Sequence, residues 1–74
     1  MKYALIGCGR IAVNHIKALR NNGLELVALC DLSLNHIKLL LEKTDYETDV
    51  PRYTDYKKMI DEHPELEVVA IATD

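Results

Sequence analysis

A glycine turn between an apolar run and an amphipathic run constrains this chain more than any other feature. Lys2-Tyr3-Ala4-Leu5-Ile6 reads as a strand that meets Gly7-Cys8-Gly9-Arg10-Ile11-Ala12, a G-x-G-x-x-A pattern opening a helix. Gly7 permits a tight turn, and Gly9 lets a ligand approach the backbone without a side chain in the way. Ala12, small like the glycine more usual there, allows the helix to pack closely on the strand. Arg10 and Ile11 begin that helix, whose free N–H groups and positive dipole end suit an anion. This arrangement predicts a cradle for the pyrophosphate of a dinucleotide. Glycine turns between strand and helix also arise for steric reasons alone, so a second signal is needed.

Asp31 supplies it. It ends the next apolar run, Leu24-Glu25-Leu26-Val27-Ala28-Leu29-Cys30, 22 residues after Gly9. An acid about 20 residues beyond the fingerprint can accept hydrogen bonds from both hydroxyls of an adenosine ribose. The same carboxylate would repel a 2′-phosphate, so NAD is expected over NADP. The competing reading is an Asp that only ends a strand or starts a turn.

Strand and helix patterns alternate through the rest of the chain without repeats or low-complexity segments. A first helix is expected from Arg10 to Asn22, with Ala12, Ile16 and Leu19 on its buried face. Gly23 suits the left-handed position that follows. Ser33 is a candidate cap for a second helix with an apolar stripe of Leu34, Ile37, Leu40 and Leu41. The acidic stretch from Thr44 to Pro51 reads as a loop. Arg52-Tyr53-Thr54 reads as a short strand near the sheet edge, after Pro51. Asp55 or Thr54 would cap a third helix with Tyr56, Met59 and Ile60 on one face, ended by Pro64. Leu66 to Ala72 is almost wholly apolar, as expected of a strand covered on both faces. Right-handed crossovers then give an α/β, Rossmann-like, three-layer fold: a partial parallel sheet in the order 3-2-1-4.

Several stretches together resemble the amino-terminal end of the Gfo/Idh/MocA family of NAD(P)-dependent oxidoreductases. They are Tyr3 to Ala18, the strand ending at Asp31, Tyr53-Thr54-Asp55-Tyr56, and Glu67-Val68-Val69-Ala70-Ile71-Ala72-Thr73. In that family the fourth strand ends in an Ala-Thr-Pro or similar turn lying against the cofactor. The resemblance therefore implies a cofactor role for Thr73, and a lesser one for Asp74, which stands where Pro or Asn is more usual. It also implies that residues 1–74 are the amino-terminal part of a dinucleotide-binding domain, about the first fifth of a family member. The family's Glu-Lys-Pro segment, with its active-site lysine, and its later histidine would follow the last residue here. The substrate domain would be absent, and no residue here is assigned as catalytic. The cofactor-binding set is Gly7, Gly9, Arg10, Ile11, Asp31 and Thr73, with Ser33, Asn35 and His36 as secondary candidates beside Asp31.

Composition removes other classes. A net charge of −3 leaves no basic stripe for nucleic acid. The apolar runs are too short to span a membrane, and Met1-Lys2 leads straight into the first strand, so a cytoplasmic protein without a signal peptide is expected. Cys8 and Cys30 end what should be neighbouring strands. They read as small apolar residues in a reducing compartment, although a disulfide between them is not ruled out by sequence. His15 and His63 have no ligand partners at helical spacing, and the acidic clusters at 42–49 and 61–67 read as solvated.

The function expected is the cofactor-binding part of an oxidoreductase that moves a hydride between nicotinamide and a sugar-like or polyol substrate. Its small-molecule substrate would be held by the absent domain, and cofactor binding by the 74 residues alone would be weak. Alternatives are a nucleotide-sensing module, an S-adenosylmethionine-binding module, and glycines that serve packing only. The last strand would be a long apolar edge in this chain, so self-association through it is also expected.

Overall fold

In the computed structural model, which describes residues 1–46 and 48–72 and leaves aside the side chains of Arg10, Ile11 and Arg20, strands and helices alternate as expected. The elements are β1 (Lys2–Ile6), α1 (Arg10–Asn22), β2 (Glu25–Cys30), α2 (Leu34–Thr44), β3 (Arg52–Tyr53), α3 (Tyr56–Glu62) and β4 (Val68–Ile71). All strand pairs are parallel, in the order β3-β2-β1-β4. β1 thus sits between β2 and β4, and the chain's reversal of direction across the sheet falls between β1 and β4. Ligands bind at such reversal points in open α/β sheets, beyond the carboxyl ends of the strands.

Alternation along β1 divides the core into two layers. Tyr3 and Leu5 face α1 and α2 and pack with Ala12, Ile16, Leu19, Ile37, Leu40 and Leu41. Ala4 faces the other way and packs with Ala28, Cys30 and Met59, beneath α3. Burying each large side chain of the first layer contributes roughly 1.5–3 kcal/mol. The second layer is thin, because two of its strand positions are alanines.

β2 breaks the simple alternation. Tyr3 pairs with Leu26, but Ala4 pairs with Ala28, so Val27 is an extra residue against β1. This bulge lets Leu26 and Leu29 face the same layer while Ala28 and Cys30 face the other. Without it, a strict period of two would put Leu26 opposite Leu29.

Local signals hold at the helix ends. Gly23 has φ 65° and donates its N–H to the Leu19 carbonyl, ending α1. Asp55 caps α3 by accepting the Lys57 N–H at 2.9 Å. Ser33 stands at the cap position of α2, but its side chain makes no capping hydrogen bond. Its carbonyl accepts the His36 N–H at 3.1 Å instead, which closes the first turn from the backbone.

Three face assignments are corrected. Leu34 is exposed because it lies at the first turn of α2, ahead of the region packed on α1. On α3 Met59 alone is buried, while Tyr56 and Ile60 are exposed, because seven residues give only two turns over a narrow layer. β4 is not covered on both faces: Val68 is exposed and Ile71 is 67% exposed. As an edge strand, β4 is hydrogen-bonded on one side, and its Ala70 packs against the core cluster that includes the buried face of α1.

Candidate functional site

The site is built where β1 and β2 end. Gly7 leaves β1 with φ 90°, a conformation that L side chains rarely adopt, and its N–H donates to the Cys30 carbonyl at 2.8 Å. The chain turns there towards α1. Gly9 is the N-cap of α1 with φ −83°, and its carbonyl accepts the Ala12 N–H at 3.1 Å. Its backbone angle is one that residues other than glycine adopt. No side chain caps α1 and its first turn holds no acid, which leaves that end suited to an anion. Arg10 and Ile11 are the first two helical residues.

Asp31 links the glycine turn to the end of β2. Its Oδ2 accepts the Cys8 N–H at 2.7 Å and its Oδ1 accepts the Ser33 N–H at 2.8 Å. His36 Nδ1 lies 3.1 Å from the same Oδ1. The carboxylate therefore ties the glycine turn to the loop after β2. Burial by itself raises its pKa, but the two backbone N–H groups and His36 outweigh burial, and the carboxyl ends below its ordinary value. The Cys8 tie is legible only in three dimensions, because nothing in the order Gly-Cys-Gly says that its central N–H points at an acid 23 residues away.

A cavity of about 430 Å³ opens beside this carboxylate, lined by residues that include Gly7, Asp31, Ser33, His36, Thr54 and Tyr56. Leu32 also lines it and is 92% exposed, an unusual position for a leucine on a polar loop. Leu32, Thr54 and Tyr56 were not predicted as site residues. The signal available in sequence was an apolar residue directly after the strand-ending acid. Asn35 does not line the cavity, whereas Ser33 and His36 do. Thr73 and Asp74 lie outside the described residues.

The cysteines are free and buried, with Cys8 Sγ 3.6 Å from the Cys30 carbonyl oxygen. Burial, then Asp31 and Cys30, push the Cys8 thiol up to about 12. Burial, Asp31 and Asp55 also raise Cys30. Both thiols should react with a disulfide reagent about a hundredfold or more slowly in the folded chain than in urea at mild alkaline pH. Equal rates in the two conditions would show that this turn opens freely.

His63 is part-buried and joins a hydrogen-bonding network with residues of β3 and the end of α3. Its Nε2 lies 3.0 Å from the Tyr53 hydroxyl and its Nδ1 3.0 Å from Glu65 Oε2, and the Tyr53 hydroxyl donates to Glu62 Oε1 at 2.9 Å. His15 is half-buried on α1. Among the described residues no group of His, Cys, Asp and Glu could hold a metal, and no helix is long and apolar enough to cross a membrane.

A parallel sheet in this order, with Gly7 and a strand-ending acid lining one cavity and an uncapped helix end after the glycine turn, defines a Rossmann-type nucleotide-binding unit. Gly9, at the N-cap of α1, does not line that cavity. The chain belongs to the Gfo/Idh/MocA oxidoreductase family, whose NAD-binding Rossmann fold matches residues 1–74. It is similar to an oxidoreductase from Agrobacterium radiobacter, solved in complex with NAD+, L-tartaric acid and magnesium, with 33% identity and a TM-score of 0.80. That match covers 100% of this chain and 21% of the other. It also resembles the WlbA dehydrogenase of Chromobacterium violaceum in complex with NADH and UDP-GlcNAcA, at 29% identity and TM-score 0.79, over 99% of this chain and 20% of that one. The WlbA dehydrogenase of Bordetella pertussis, with the same ligands, matches at 27% identity and TM-score 0.79, over 99% and 22%. The chain thus spans about a fifth of the length of these proteins. No curated protein matches it.

Proposed function

We propose that this chain binds NAD, and NADP less well, as the amino-terminal part of the cofactor domain of an oxidoreductase. The observation that carries the reading is the bond from Cys8 N–H to Asp31 Oδ2, which fixes the glycine turn and the carboxylate against one cavity. The α1 end and Gly9 then face the pyrophosphate, with Arg10 and Ile11 supplying backbone N–H groups. Asp31 accepts the ribose hydroxyls, and the adenine lies against Leu32 and Tyr56. Thr73, following β4, belongs to the same crevice in this reading. Bound nicotinamide supplies hydride transfer. The partner substrate is sugar-like or polyol, as the sugar-nucleotide ligand of the WlbA dehydrogenases supports. Substrate contacts and catalytic groups belong to residues outside these 74, in a substrate domain, and the 74-residue chain alone binds cofactor weakly and is inactive. Two buried, unpaired cysteines fit a cytoplasmic setting.

An NMR titration with NAD, NADP and S-adenosylmethionine tests this. Selective movement of the Gly7, Gly9, Arg10 and Asp31 amides by NAD is the expected result. A stronger response to S-adenosylmethionine would replace the oxidoreductase reading with a binding module of another class.

We also propose that the 74-residue chain self-associates through β4, whose free edge carries exposed Val68 and Ile71. Sedimentation should show dimers or larger species at high micromolar concentration, and Ile71→Lys should return the chain to monomer. A wild-type monomer at that concentration would end the idea.

A further inference from the structure

A carboxylate offers about four lone-pair positions, two on each oxygen. On Asp31 the Cys8 N–H takes one on Oδ2, while the Ser33 N–H and His36 Nδ1 take both on Oδ1. A ribose diol held by both oxygens needs one position on each. Oδ2 has one, but Oδ1 has none while His36 stays in place. The His36 side chain is 57% exposed and lies in the first turn of α2, so a change of rotamer releases it into solvent.

We propose that His36, through its protonation, sets how strongly Asp31 discriminates between NAD and NADP. The inference rests on the cofactor reading above. A neutral imidazole yields its position, leaving a bare carboxylate that accepts the diol and repels a 2′-phosphate. An imidazolium holds Oδ1, which leaves the diol a single acceptor. It also cancels much of the charge facing a 2′-phosphate and attracts that phosphate itself. Both effects lower the preference for NAD as pH falls. Attraction of the imidazolium to the pyrophosphate is common to both cofactors and cancels in their ratio.

Histidine ordinarily changes charge between pH 5 and 8. The titratable groups that share the cavity with His36 are Asp31 and Cys30 from the end of β2 and Tyr56 from α3. Burial and Asp31 keep the Cys30 thiol protonated across that range. Asp55 precedes Tyr56, and its Oδ1 accepts the Lys57 N–H. Lys38, two residues along α2, lines a different cavity with Glu42 and Arg52. Asp31 is thus the charge with which His36 pairs directly.

The test is calorimetric titration of the full chain with NAD and NADP at about pH 5.5 and about pH 8, in wild type, His36→Gln and His36→Lys. The ratio of the NADP to the NAD dissociation constant should rise with pH about fivefold more in wild type than in His36→Gln. The 2′-phosphate gains charge over the same range, with a pKa near 6, so the glutamine variant serves as the reference for that contribution. With His36→Lys, permanently charged, the ratio should rise with pH no more steeply than with His36→Gln, because only the 2′-phosphate then changes charge. Parallel slopes in wild type and His36→Gln, with NAD bound, would overturn the role of His36 and leave the cofactor reading standing. Absence of NAD binding at both pH values would overturn the two together.

Discussion

Asp31→Ala should destabilise the chain by about 2–3 kcal/mol and also remove its preference for NAD over NADP. The stability loss follows from the two backbone N–H groups, of Cys8 and Ser33, that would lose an ionised acceptor in a part-buried position. Hydrogen bonds to charged groups contribute about 1.5–3 kcal/mol each, and water entering at the cavity mouth would recover part of that. The cofactor effect follows from losing both the acceptor for the ribose diol and the charge that opposes a 2′-phosphate. Urea unfolding and titration with the two cofactors measure the two effects separately.

Acid provides a second signature of the same residue. Its native pKa lies below the ordinary value. A carboxyl of this kind contributes its full stabilisation above the unfolded-state pKa, about 3.9 for Asp, and loses it as pH falls through the lower native value. Wild type should therefore lose stability below about pH 4 more steeply than Asp31→Ala, with the two curves converging. Parallel curves would show that the carboxylate contributes no net stabilisation.

Leu5→Ala should cost the fold about 3 kcal/mol or more. Leu5 is fully buried on β1, with a strand on each side and the α1/α2 layer over it. Removing its side chain leaves a cavity that neighbours held by two hydrogen-bonded ladders close poorly. For a domain of this size that corresponds to a fall in Tm of about 12–24 °C. Leu5→Met, which conserves volume, should cost less than about 1.5 kcal/mol. Similar losses for both variants would mean that shape at this position matters more than volume.

Much of the architecture was legible because the signals were local. α1 begins and ends where the glycine pattern and Gly23 place it, and Ala12, Ile16 and Leu19 form its buried face. The strand order follows from alternating patterns and right-handed crossovers, and the sheet has that order. The bulge at Val27 was not legible, since it depends on which residue of β1 each residue of β2 meets. The faces of α3 and β4 were misassigned for a related reason. Periodicity shows which residues share a face, but only the neighbours decide whether that face is covered.

The candidate site divides in the same way. Gly7 and Asp31 are set by the sequence, because a positive φ favours glycine and a strand-ending acid has a fixed distance from the glycine turn. Sequence alone thus determined the fold class, the family resemblance and the carboxylate at the end of β2. Tertiary structure decided that Cys8 N–H and His36 converge on that carboxylate and that Leu32, Thr54 and Tyr56 share its cavity. Local pattern acts over a few residues through backbone sterics and hydrogen bonds. The contacts that tune Asp31 come from segments brought together only when the parallel sheet aligns the ends of its strands.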